Sequence, residues 1–177
     1  MKSTKSASRY AKALLELSIE QNNLDKIAAD IAYLAKVNAE EKDFQILLHS
    51  PVVKADKKIA IFREIFHNFD QLTNLFIDLI TKNRREYLLA EIAASFEAQL
   101  KAYKGIVPVT LISAVQLSKD AKDTILTKLK NSVKGQLEIN EIIDKDLIGG
   151  FIVRMDDKQI DASVSSQFNN LKQRLTR

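Results

Sequence analysis

His49 and His67 are the chain's whole supply of imidazole, and cysteine is absent. A two-histidine metal site on a helix needs its ligands one turn apart. These two lie in separate segments with no carboxylate at ligand spacing, so both read as ordinary, partly exposed histidines. Without cysteine there is no thiolate ligand, no disulfide and no thiol nucleophile. Ser163, Ser165 and Ser166 cluster, but no Gly-x-Ser-x-Gly elbow surrounds them; serines at a helix start serve its free amides. Gly149-Gly150 would suit a phosphate cradle only if a helix N-terminus followed, and an apolar strand-like run follows instead. Asp156, Asp157 and Asp161 lack the alternating oxygen spacing of a calcium loop and read as a solvated turn. Lys82-Asn83-Arg84-Arg85 is a short basic loop, at most a weak pointer to an anionic partner. The expectation is therefore no catalytic residue, no metal ligand and no cofactor.

The stretch from Ile143 to Ser163 is the most informative. Phe151 to Met155 is an apolar run, Asp156-Asp157 a polar break, and Lys158 to Asp161 a second short run, which together read as a β-hairpin. Gly149-Gly150 lets the chain enter the first strand at dihedrals a side chain would forbid. Asp156 suits a turn, because its side chain tolerates left-handed backbone better than most.

At 177 residues the chain has room for one domain or two small ones, and its 4 Gly and 2 Pro favour long helices over a turn-rich β fold. Residues 1–105 hold 16 basic and 14 acidic residues and 106–177 hold 11 and 9, so each part carries about +2. No basic face or run of the kind nucleic-acid binders show stands out, so no nucleic-acid partner is expected. No apolar run approaches the ~20 residues of a membrane helix, and no signal core follows Met1-Lys2-Ser3-Thr4-Lys5. Any link to a membrane is expected to pass through partners.

The first 105 residues read as helix after helix. Ser3 or Thr4 caps a helix with Ala7, Tyr10, Ala11, Leu14, Leu15 and Leu17 as its apolar positions. Asn23 caps a second carrying Leu24, Ile27, Ala28, Ile31, Leu34 and Ala35. A third holds Phe44, Leu47 and Leu48 and ends before Pro51. The fourth turns Ile59, Phe62, Ile65 and Phe66 inward. A fifth spans about 70–82 and a sixth about 85–104, with Leu89, Ile92, Phe96, Leu100 and Tyr103 in one stripe. The period changes at Gly105. Residues 106–114 read as a strand that Pro108 confines to an edge or a strand start. A helix over about 118–133, a strand over 136–142, the hairpin and a last helix over 163–176 follow. The fold class is mainly α: an N-terminal six-helix bundle, 1–105, then a small α+β domain, 106–177, with a β-hairpin and two helices.

Helices one and five are apolar around too much of their girth. At ~100° per residue, Leu72, Leu75, Phe76, Ile77, Leu79 and Ile80 cover roughly 200°, about twice an ordinary core stripe. Such a helix buries two faces: either both against its own core, or one against another protein's helix. The arc centres on Leu72 and Leu79 as the core side, leaving Ile77 at the edge, facing solvent.

The hairpin resembles the C-terminal signature of the delta subunit of F-type ATP synthases, called OSCP in mitochondria. The matching residues are Asp144, Leu147 to Gly150, Arg154, Ile160, Asp161 and Ser163, with Asp156 and Ala162 where the family often has Gly. Arg9-Tyr10-Ala11-Lys12-Ala13-Leu14 is similar to the family's N-terminal pattern, and Leu79 to Leu89 to its fifth-to-sixth helix junction. The resemblance implies a non-catalytic stator connector, present in one copy per complex. Its helical domain would bind the amphipathic N-terminal helix of an alpha subunit. Tyr10, Ala11, Leu14, Phe76, Ile77 and Ile80 are the expected groove. The second domain would hold the peripheral-stalk b subunit, with Gly149, Gly150, Arg154, Asp161 and Ser163 structural or stalk-binding. It also implies a peripheral place on the cytoplasmic face of a bacterial membrane. A free-standing helical adaptor for an unrelated partner is the alternative.

Overall fold

Thr4 begins the first helix, α1 (Lys5–Glu20), its hydroxyl accepting the Ala7 amide at 3.3 Å. Such a cap satisfies one of the amides a helix start leaves free. Five more helices follow: α2 (Leu24–Glu40), α3 (Lys42–His49), α4 (Ala55–Ile65), α5 (Gln71–Lys82) and, after a 3-10 turn at Glu86–Leu88, α6 (Leu89–Tyr103). These are elements of a computed structural model, which describes residues 4–115, 122, 125, 135–155 and 158–175. The chain divides into two compact units, Met1–Leu100 and Lys101–Arg177, with the division inside the last turn of α6 and before Gly105.

In the first unit one apolar core joins all six helices. Ala7, Ala11 and Leu14 of α1, Ile27, Ile31 and Leu34 of α2, and Phe76, Ile77 and Ile80 of α5 are all buried in it. Phe44 and Phe66 meet edge to face at 5.7 Å, and Phe66 stacks on Phe69 at 4.5 Å, both favoured ring geometries. Asp30 of α2 fixes the start of α5: its Oδ2 accepts the Asp70 amide and the Thr73 hydroxyl, each at 2.8 Å. Asn23 precedes α2 but makes no side-chain cap. Ser50 is extended, as a residue before proline must be, and α3 stops there.

Some inward positions differ from those the apolar spacing predicts. Ile65 is 39% exposed, and Tyr103 is exposed at the end of α6. Lys58 is buried instead, its ammonium donating to Glu86 Oε1 at 2.5 Å and to the Leu48 carbonyl at 3.3 Å. This pair ties α4 to the 3-10 turn. The spacing 58, 62 places Lys58 one turn before Phe62 on the inward face, a signal masked by its charge.

The second unit is a four-stranded sheet in the order β2-β1-β3-β4, from β1 (Ile106–Ser113), β2 (Gln136–Ile143), β3 (Phe151–Met155) and β4 (Lys158–Asp161). β1 and β2 are parallel; β1–β3 and the β3–β4 hairpin are antiparallel. Val109, Leu111, Val153 and Met155 form its core, with Ile125 packed on them. The helix expected over 118–133 and the turn at Asp156-Asp157 lie outside the described residues, apart from Lys122 and Ile125, both helical. The last helix is α7 (Val164–Leu175).

β1 is an inner strand, contrary to the edge position or strand start expected from Pro108. The Gly105 and Ser113 carbonyls accept amides from the β2 side, so odd-numbered residues direct their backbone there and even-numbered ones toward β3. Pro108 thus lacks an amide on the β3 side, and among the described residues the β1–β3 ladder runs from Val109 to Ser113.

Candidate partner-binding site

α1 and α5 are neighbours. Tyr10 meets Phe76 edge to face at 6.5 Å, and Arg85, just beyond α5, donates to the Tyr10 hydroxyl at 2.8 Å while its guanidinium lies 5.7 Å from the ring centroid. Of the expected groove residues, Ala11, Leu14, Phe76, Ile77 and Ile80 are buried in the core, and only Tyr10 is half-exposed. The inward and outward sides of α5 are the reverse of those read from the sequence: Ile77 is 2% exposed and Leu79 is 52% exposed.

The cause lies in two threonines. Thr73 and Thr81 are fully buried, Thr81 donating to the Ile77 carbonyl at 2.8 Å and Thr73 to Asp30. A satisfied hydroxyl enters a core at little cost. Counting them moves the buried arc past Ile77 and frees the other edge.

That free edge is apolar. Leu75 is 56% exposed beside Leu79, with Leu72 half-buried. The three fall within ~60° on the helix, next to Phe76 and thus on the side toward α1. On α1, Tyr10, Ala13 and Leu17 also fall within ~60°, and Leu17 is 42% exposed. Two exposed leucine-bearing edges thus flank the Tyr10–Phe76 contact. Such a seam suits the apolar face of an added helix.

The C-terminal signature residues meet in space. Gly150 has φ +82°, and a Cβ there would lie 2.4 Å from the Ala162 carbonyl oxygen, so both dihedral and space demand glycine. The Gly149 carbonyl accepts the Val164 amide and the Phe151 carbonyl accepts the Ala162 amide, each at 3.0 Å. Asp161 Oδ1 accepts the Ser163 amide at 2.9 Å, and the Ser163 hydroxyl caps α7 by accepting the Ser166 amide at 3.2 Å. Bonds from the Ser163 hydroxyl and then its amide hold the Asp161 carboxyl below the usual carboxylate range, against a smaller effect of desolvation. Arg154 is exposed and bonds Gln159 across the hairpin at 3.0 Å. Four of the five signature residues therefore fasten α7 to the hairpin, and Arg154 stands on the surface.

The remaining candidates stay apart. His49 is exposed beside Tyr87, and His67 is exposed against the Glu64 carbonyl. Among the described residues, no group of three or more His, Cys, Asp and Glu side chains could hold a metal, and no helix is long and apolar enough to cross a membrane.

The family model described as ATP synthase delta (OSCP) subunit matches residues 7–175. An ATP synthase subunit delta of Cytophaga hutchinsonii is 33% identical over 99% of this chain and 97% of its own length. One of Carboxydothermus hydrogenoformans is 35% identical over 97% of each. A chain of the Toxoplasma gondii mitochondrial ATP synthase hexamer superposes with a TM-score of 0.75, covering 98% of this chain and 99% of its own, at 22% identity, a likeness of fold. With the match running from α1 through the signature hairpin into α7, the chain belongs to the ATP synthase delta (OSCP) subunit family.

Proposed function

We propose that this chain is the non-catalytic stator connector of an F-type ATP synthase. Its helical unit holds the amphipathic N-terminal helix of an alpha subunit in the α1–α5 seam. Its C-terminal unit holds the peripheral-stalk b subunit. One copy sits peripherally on the cytoplasmic side of a bacterial membrane, reaching it only through the complex. The head is thereby kept from turning with the shaft during proton-driven ATP synthesis.

The observation that carries the helix-binding role is the exposure of Leu17, Leu75 and Leu79 on the facing edges of α1 and α5. Each such leucine gains ~1.5–3 kcal/mol of transfer free energy when covered, so three or four contacts exceed the ordering costs of a helix partner. The test is co-purification with the synthase head, with and without the alpha subunit's N-terminal segment. Retention that depends on that segment supports the reading. Equal retention without it removes the alpha-helix role, and no retention with either head removes the connector role.

A further inference from the structure

We infer that the α1–α5 seam has a built-in direction, and that the helix it takes lies antiparallel to α1. This rests on the helix-binding role proposed above and concerns how that helix is oriented.

α1 carries its charges the wrong way round for its own stability. Its first turn holds no acidic residue and its last turn no basic one. Lys5, Arg9 and Lys12 lie in its first half, Glu16 and Glu20 in its last turns. A helix has partial positive charge at its N-terminus and negative at its C-terminus, and side chains normally oppose these. Here they add to them. The compensation visible at the start of α1 comes from α6, where Glu91 accepts the Thr4 amide at 3.0 Å; Lys12 and Glu16 pair weakly at 3.7 Å on the exposed surface.

α5 reinforces the same field. Its C-terminal end bears Lys82, Arg84 and Arg85, all exposed, and Arg85 reaches Tyr10 in the first half of α1. The cations of both helices therefore gather at one end of the seam. Glu20 lies ~60° from Leu17 on α1, so the acidic end flanks the same apolar edge. A helix entering the seam brings its own dipole. Its carboxyl end is favoured at Arg9, Lys82, Arg84 and Arg85, and its amino end at Glu16 and Glu20. The preferred occupant is an amphipathic helix with acidic residues toward its C-terminus and basic ones toward its N-terminus.

The absence of cysteine makes the test direct. Asn83→Cys marks the cationic end and Gln21→Cys the acidic end, each carrying a fluorophore on the full chain. The probe is a synthetic peptide of the alpha subunit's N-terminal segment with a nitroxide quencher at one terminus or the other. The expected result is quenching at position 83 by the C-terminal nitroxide and at position 21 by the N-terminal one. The reverse pattern overturns the direction and leaves the seam as the binding site. Saturable binding without quenching at either position overturns both the direction and the seam. As a second readout, Lys82→Glu with Arg84→Glu should weaken binding at least about threefold at low salt, an effect that fades at high salt. Unchanged affinity in a variant that melts like the parent overturns the electrostatic origin.

Discussion

Gly150 shows how a single atom constrains a domain. Its positive φ and the Ala162 oxygen 2.4 Å from a would-be Cβ act together, so Gly150→Val is expected to cost more than the ~1–3 kcal/mol of backbone strain alone. Hydrogen exchange on the full chain checks this: amides of β3 and β4 should lose protection while those of α5 keep theirs. Unchanged exchange in the hairpin removes the constraint. Asp161 makes a pH prediction. Its folded pKa is lowered, so its contribution is present above the unfolded value and is lost as pH falls through the folded one. Below about pH 4 the anchor of α7 should weaken, and Asp161→Asn should flatten that acid dependence. Lys58 is a buried cation whose charge is met by Glu86. Glu86→Ala should destabilise the helical unit by about 3–5 kcal/mol, because a buried ammonium is left uncompensated. A thermal melt within a degree of the parent contradicts that.

At the scale of elements, α5 divides into a side that folds and a side that is free to bind. Ile77→Asp should unfold the helical unit: deleting a buried isoleucine costs ~2–5 kcal/mol, and the introduced carboxylate adds desolvation. Leu79→Asp should leave the melt nearly unchanged and reduce affinity for the alpha-subunit peptide at least tenfold, about 1.4 kcal/mol. Peptide titration beside thermal melts separates the two. If Leu79→Asp binds normally, the partner docks elsewhere. Apolar spacing placed Leu79 inside and Ile77 outside because it ignored threonine. Thr73 and Thr81 are polar by composition and core by position, each hydroxyl satisfied within hydrogen-bond reach. The same blindness hid Lys58, whose ammonium is satisfied only by groups distant in sequence.

For the whole molecule, the expectation of two folding units rests on the change from helical to strand period at Gly105. The contact division falls slightly earlier, inside α6, because a helix can end in one unit after starting in another. Limited trypsin digestion is expected to cut at Lys101 or Lys104 and leave a helical N-terminal fragment that melts cooperatively. A fragment unfolded by circular dichroism rules the division out.

Local chemistry wrote much of this protein into its sequence. Thr4 as a cap, Ser50 before Pro51, the hairpin with its glycine entry and the serine start of α7 depend on residues within a few positions of one another, and spacing reveals them. The lack of paired histidines, thiols or a phosphate loop is equally local. The order of the signature residues placed the chain in its family. The direction of each apolar arc was settled elsewhere. Whether Ile77 or Leu79 points inward depends on Asp30 waiting for Thr73 and on Tyr10 standing against Phe76. Whether the strand carrying Pro108 lies inside the sheet or at its edge depends on β2 and β3, which pair on either side of it. These are contacts between residues far apart in the chain, and a helix period alone cannot choose among faces that are equally apolar.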